Sequence, residues 1–411
     1  MLKKHLAVML MFILAAGVFS QSIPSGSGRY NALGNSPFIL DAHVDMLNNP
    51  AWNSYYKDYA FADLSPYSGS EFTGHAGVNF AVGKQWSLGF IVNKRQDAWE
   101  NFRTSSNTFI PANISSPIVP FMGLIGYQAS KTLYVSLAPY YASWSYKQTI
   151  SDTNFVDFDN STSSMGANLG FMYLMKKNWI EGSFNFRMNK YKYDSTLGSY
   201  NAHLENDGGI EFGAMFRGWI YTSKNSKIAV VPLISFNTFS FQPKLTGTAS
   251  AIGLNYSSMN FGGAVGLNWP IMDDIQIAGG IGANYLSSKA DSNNYEIKDN
   301  KLIAPSYNLA LETKIADWLT GRMGFSRSIV SSSYTNNTTI PPQPTFTAEY
   351  TGTSPSSDAS TFSLGAGFHF GRFSIDATVS EAWFKHGINF ISGGDSNDLF
   401  GVVSASYNFK K

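Results

Sequence analysis

The chain has 411 residues, a formal net charge of +1, no cysteine, and only 14% charged residues, against roughly 25% in ordinary soluble domains. Near-neutrality excludes the basic footprint of a nucleic-acid partner, and the lack of cysteine excludes disulfides, thiolate–zinc sites and a lipidated cysteine anchor. Aromatic residues reach 15%, including 22 tyrosines and 31 phenylalanines, which suits strands that face lipid and its interfaces.

Residues 1–20 read as a secretory signal peptide: Lys3 and Lys4 precede an apolar run from Leu6 to Phe19, with Ser20 a small residue before the cleavage point. That run is shorter than the ~20 residues a spanning helix needs, and no later apolar run approaches spanning length. Residues 21–54 show no sustained alternation. They are too polar and glycine-rich for a lipid-facing strand, yet Phe38, Ile39, Leu40, Val44, Met46, Leu47 and Trp52 call for burial. A segment of this kind at the mouth of a barrel is expected to fold into the lumen as a plug.

From residue 55 to the end, apolar and polar residues alternate with the period of a strand that has one face of each kind. In NWIEGSFNFRMN, Ile180, Phe184, Phe186 and Met188 share one parity, while Glu181, Ser183, Asn185, Arg187 and Asn189 share the other. The pattern predicts strands at 55–64, 73–82, 86–94, 118–128, 132–149, 163–175, 178–194, 207–222, 227–243, 257–269, 275–288, 303–316, 318–333, 359–371, 373–386 and 399–409. The count is about 16, with 14 as the alternative, and the alternation is weakest in the first. The connections alternate too. Short links such as 83–85, 130–131, 176–177 and 371–372 are followed by long polar ones such as 95–117, 150–162, 195–206, 244–256, 289–302, 334–358 and 387–398. Tight turns at one end and long loops at the other mark an all-β, single transmembrane antiparallel barrel. A sandwich has no reason to sort its connections this way.

Parity places Glu181, Asn185, Arg187, Glu211, Arg217, Glu312, Lys314, Arg322 and Asp376 on the lumen side. Opposite charges there either pair to stiffen the wall or form a field that filters solutes; the low charge total favours neutral or apolar solutes. Trp86, Trp179, Trp269 and Trp318 each lie beside a short turn and suggest an interfacial girdle. Parity puts Trp86 and Trp269 outside, and Trp179 and Trp318 inside unless the strand ends twist. His369 falls inward near Asp376, an arrangement that suits a hydrogen-bonded lumen residue better than a catalytic pair, so no enzyme and no cofactor is expected. GGIGAN at 279–284 and GAGFHFG at 365–371 lead into no helix, so they lack the anion-binding N-terminus of a phosphate loop. Glycines on strands instead relieve crowding.

The run ALGNSPFILDAHVDMLNNPAW resembles the N-terminal segment of the FadL-type long-chain fatty-acid transporter superfamily, which includes the PorV-like proteins of type IX secretion. The matching positions are Gly34, Asp41, Asp45, Asn49, Pro50 and Ala51. The resemblance implies a monomeric barrel, usually of 14 strands, with an N-terminal hatch inside. It also implies passage of hydrophobic small molecules from an outer groove through the hatch into the membrane. The chain departs in its strand count and in lacking an evident outer helical loop insertion. The resulting expectation is an outer-membrane barrel in contact with lipids, with an apolar groove above the hatch and a hydrophobic or neutral solute. The alternative is a PorV-like, non-enzymatic component whose partners are proteins of a secretion system.

Overall fold

A computed structural model describes residues 27–64, 74–95, 118–148, 157–197, 200–223, 225–242, 244–247, 255–292, 295–338, 346–354, 360–379 and 400–409. The leader at 1–20 and the polar stretches 96–117 and 387–398 lie outside these. The strands form one closed antiparallel barrel of 16, which settles the count against the 14-strand alternative. In chain order they are β1 (Tyr59–Leu64), β2 (Ala76–Val82), β3 (Trp86–Val92, continuing as Lys94–Arg95), β4 (Ile118–Gln128), β5 (Leu133–Gln148), β6 (Asp157–Met175), β7 (Asn178–Leu197) and β8 (Tyr200–Tyr221). There follow β9 (Ala229–Phe241 with Lys244–Gly247), β10 (Asn255–Met272), β11 (Ile275–Ser292), β12 (Tyr295–Ala316), β13 (Leu319–Thr338), β14 (Phe346–Ser354 with Ser360–Phe370), β15 (Phe373–Val379) and β16 (Phe400–Asn408). Each strand pairs with its sequence neighbours, and β1 closes the ring against β16 from Tyr59–Asn408 to Leu64–Val403. Closure leaves no sheet edge exposed to lipid.

Two boundaries differ from the sequence pattern. The first strand begins at Tyr59 rather than at 55, because residues 52–55 form a helical turn and Asp58 takes a positive φ of 60°. Several strands also run into stretches read as loops. Both β8 and β12 are 22 residues long, roughly twice the ~9–11 residues needed to cross a bilayer. The outward row of β11 shows why the pattern stopped early. Ile281 and Tyr285 are exposed apolar residues, whereas Lys289 and Asp291 on the same row pair with charged groups at 3.0 and 3.6 Å. Beyond Tyr285 the outward row is charged, so apolar–polar alternation disappears while strand pairing continues to Ser292–Tyr295.

The outer surface carries Phe80, Leu88, Phe121, Leu137, Leu169, Phe186, Phe216, Leu267, Ile281, Leu309 and Phe362, all exposed. Their parity mates Asn79, Ser87, Ser136, Asn168, Glu181, Arg217, Asn268 and Asn308 are buried inside. A greasy exterior over a polar interior is the inverse of a soluble protein and defines a membrane barrel. Trp86, Trp269 and Trp318 are exposed at the turn end, and Trp318 stacks on the outward Phe368. Its position in the turn, not on the strand, frees it from the parity that pointed it inward. Trp179 does point inward, stacked 5.2 Å from Trp219.

Residues 27–56 form three short helices, α1 (Gly28–Ala32), α2 (Ala42–Asn48) and α3 (Trp52–Tyr55). Ser27 caps α1 by accepting from the Tyr30 N–H, and Asp41 caps α2 by accepting from the Val44 N–H at 3.1 Å. Two apolar clusters fix the segment to the inner wall. Met46, Leu47, Ala51 and Trp52 pack with Phe61, Ile91, Met122, Leu124, Tyr134 and Met172. Leu33, Phe38 and Ile39 pack with Trp219, Val231, Ala264, Ala278 and Ala310.

Candidate functional site

The inward charges stand in facing pairs. Register places Glu181 opposite Arg217, Arg187 opposite Glu211, and Glu312 opposite Arg322. On one side of the lumen, Arg217 donates through Nε to Glu181 at 2.6 Å, through Nη2 to Asp45 at 2.5 Å and through Nη1 to the Pro37 carbonyl at 3.2 Å. Glu181 also accepts from Asn49 Nδ2 at 2.9 Å and from the Trp52 indole N–H. On the other side, Arg29 makes a two-pronged contact with Glu312 at 2.8 and 3.0 Å, while Arg322 donates to Glu312 at 2.7 Å and to Asp376 at 2.6 Å. Each charge, buried or, for Arg29 and Glu312, half-buried, has a partner of opposite sign, the condition under which burial is tolerated. Arg187 and Glu211 form a third pair at 3.1 Å, joined by Asn185 at 3.4 Å and Asn237 at 3.3 Å.

Six of the predicted positions lie in the N-terminal segment. Gly34 has a φ of +65° and its carbonyl accepts from Asn308 at 2.8 Å. Asp41 caps α2 and accepts from the Ser27 hydroxyl at 2.7 Å. Asp45 joins Arg217, and Asn49 bridges Glu181 and the Phe171 carbonyl. Pro50 and Ala51 are buried against the wall, where a Cβ on Gly170 would lie 2.2 Å from Asn49 Oδ1 and 2.8 Å from the Ala51 nitrogen. Similar close approaches occur elsewhere. Cβ atoms on Gly266 or Gly280 would sit 2.4 Å from the Phe38 ring, and one on Gly324 would sit 2.1 Å from the Gly34 nitrogen. The strand glycines thus mark where the segment lies against the wall. Lys314 stands apart, exposed and paired with Asp317 at 2.6 Å.

The lumen wall is two-sided. From β7 to β16 it carries the charged groups above together with Asn268, Asn308 and Ser404. From β3 to β6 it holds a cluster of buried apolar residues, Ile91, Leu124, Met122, Val119, Ala138, Tyr140, Ala142 and Met172, among the buried polar Ser87, Ser136, Asn160, Ser164 and Asn168. Leu124, Met122 and Val119 climb β4 away from its turn end at Gln128, in the same cluster as Met46, Leu47 and Trp52 of the segment. The described cavities are different in character. One of about 270 Å³ is lined by Arg29, Asp41, His43, Glu312, Arg322 and Asp376 among others. A second of about 290 Å³ is lined by Asp273, Asp274 and Lys314 among others and shares Glu312, Thr320 and His369 with the first. The first is lined mainly by polar and charged side chains, and the second, at the turn end, mixes these with Pro270, Met272 and Ile275. The expected apolar groove is therefore represented, among the described residues, by an apolar cluster packed against the segment and not by an apolar cavity.

His369 is held between Thr320 Oγ1 and Ser374 Oγ, both at 3.0 Å, as an ordinary hydrogen-bonded lumen residue. Sequence reasoning missed Arg29, His43, Asp63 and His75. Arg29 sits in a stretch without periodicity, and the other three come from separate elements with no motif spacing between them.

Closed antiparallel topology, a lipid-facing apolar band, aromatic residues at the turn end and paired charges within define a transmembrane β-barrel of the outer-membrane class. No protein-family model matches the chain, and none of the curated proteins matches it. Among solved structures it is similar to a Pseudomonas aeruginosa FadL homologue at 10% identity, covering 96% of this chain and 100% of that one with a TM-score of 0.45. It is similar to the Pseudomonas putida toluene transporter TodX at 11% identity, covering 93% and 98% with a TM-score of 0.39. The ferric-catecholate import receptor Fiu of E. coli K12, in its open form, is similar at 10% identity, covering 86% and 74% with a TM-score of 0.38. Barrels of different transport classes stand side by side in this comparison, so the functional reading rests on the chain's own residues.

Proposed function

We propose that the protein is a monomeric outer-membrane channel for passive uptake of hydrophobic or neutral small molecules, FadL-like in design, with residues 21–54 as a hatch. The observation that carries this reading is the apolar cluster on the inner side of β3 to β6. A lumen built only to conduct water and ions has no use for Ile91, Val119, Met122 and Leu124, which form one apolar cluster with Met46, Leu47 and Trp52 of the segment. Desolvated apolar surface of this kind favours apolar solutes. The charged wall opposite holds the segment in place and exposes few unpaired charges that would select ions. The test is uptake of a hydrophobic fluorescent tracer by proteoliposomes with and without the protein. Faster uptake is expected, and equal rates would overturn the reading.

A second reading, a PorV-like non-enzymatic component of protein secretion, is favoured by the strands that project beyond the membrane band. The β7–β8 and β11–β12 pairs carry exposed ion pairs, Lys192–Asp194 at 2.6 Å and Lys298–Glu296 at 2.7 Å, on surfaces suited to a protein partner. Recovery of a stable partner after gentle extraction, together with no tracer uptake, would select it.

A further inference from the structure

The segment meets the wall at a third place, where His43 of α2 lies against Asp63 of β1 and His75, the residue just before β2. All three side chains are buried. The two Nε2 atoms of His43 and His75 are 2.7 Å apart. Asp63 Oδ1 lies 3.6 Å from His43 Nδ1, and Oδ2 lies 3.7 Å from His75 Nε2. These distances are too long for hydrogen bonds, and neither oxygen of the Asp63 carboxylate, whose side chain is fully buried, accepts one among the described residues. A buried carboxylate without donors is costly. The Phe61 ring, 3.9 Å from the His43 ring, holds that imidazole in place. Lys94, buried on β3, is the charged neighbour whose field falls on His43.

We propose that His43, Asp63 and His75 bind one divalent transition-metal ion of the Zn²⁺ type, clamping α2 to β1 and β2. One ligand atom from each residue lies within 4.8 Å of the others. Ligand bonds of about 2.0–2.1 Å in a tetrahedron put ligand atoms about 3.3 Å apart. Two of the three edges, 2.7 Å between the nitrogens and 3.7 Å between His75 Nε2 and Asp63 Oδ2, bracket that value and the third lies within 4.8 Å, so side-chain rotation closes the triangle. Two imidazoles and one carboxylate select zinc, nickel, cobalt or copper over magnesium and calcium, which prefer all-oxygen sites. The polar cavity of about 270 Å³, which His43 helps to line, supplies the way in. The three residues come from three elements, so the ion would cross-link the segment to the barrel whatever the channel passes.

The test uses the untagged full chain in detergent, stripped with chelator and titrated with Zn²⁺ by calorimetry and with Co²⁺ by visible absorption. One ion per chain is expected. Asp63→Asn and His75→Gln should each weaken binding by roughly 100-fold or more, since even outer partners of a metal site are worth 10–100-fold. His369→Gln, on the far side of the cavity, should leave it unchanged. Heat-modifiable gel migration verifies that each variant is folded. Absence of saturable one-to-one binding, or equal binding by folded Asp63→Asn and His75→Gln chains, would overturn the site. If a variant fails to fold, X-ray absorption of the wild-type zinc complex decides: two imidazoles in the coordination shell support the assignment, and fewer refute it.

Discussion

Glu181 and Arg217 face each other across β7 and β8, and the same guanidinium holds Asp45, 172 positions earlier, at 2.5 Å. One arginine therefore serves both as a wall pair and as the fastening of the N-terminal segment. Replacing it with methionine leaves Glu181 and Asp45 buried without a cation, a loss worth about 3–5 kcal/mol. The expected result for Arg217→Met is faster amide exchange across residues 42–54 while the barrel itself stays heat-modifiable. Arg217→Lys should recover only part of the protection, because an ammonium cannot reproduce the planar fork. Unchanged exchange in Arg217→Met would mean that the pair does not hold the segment.

On the opposite wall the fastening is separable from the barrel. Glu312 keeps Arg322 at 2.7 Å when Arg29 is removed, so Arg29→Ala disturbs the segment and spares the strand pair. Single-channel recordings of Arg29→Ala should show larger or more frequent openings than the native chain. Identical traces would contradict a hatch held at this point.

The glycine slots make a steric prediction. A Cβ on Gly324 would lie 2.1 Å from one backbone nitrogen and 2.3 Å from a backbone carbon of the segment, which cannot yield as a flexible side chain could. Gly324→Ala should destabilise the packed segment by about 1–3 kcal/mol, the usual cost of overpacking. Gly123→Ala, whose Cβ meets nothing nearer than 3.6 Å, serves as the control. Limited proteolysis at residues 27–56 reads the difference, and equal cleavage of the two variants would count against the slot.

The lipid face predicts a depth-dependent penalty. Leu169 on β6 is 54% exposed and pairs with Phe184 across the band. Leu169→Arg should cost about 2–4 kcal/mol near the bilayer midplane, measured by denaturant unfolding in lipid vesicles. Lys192→Leu, in the region where the outward row has become charged, should change stability by less than about 0.5 kcal/mol. Equal effects at the two positions would misplace the membrane band.

Much of this architecture is legible in the sequence because lipid contact enforces a period of two. Rows such as Ile180, Phe184, Phe186 and Met188 cannot tolerate a polar member, so the spans and their number follow from alternation. The same signal fails where its cause is absent. Past Tyr285 or Met188 the outward rows turn charged, with Lys289 and Lys192, so the strands continue unseen into apparent loops. Facing charges were legible as inward but not as partners, since register across strands decides that Glu181 meets Arg217 and Glu312 meets Arg322.

Alternation, the sorting of short turns from long loops and the scarcity of charge determined by themselves that this chain is a membrane barrel, because each reports a local requirement of strands in lipid. Only the tertiary structure decided what the interior does. Arg29, His43, Phe38 and Asn49 carry no periodic signal, and their meaning depends on which inward side chain, hundreds of positions away in some cases, the closed ring brings opposite them.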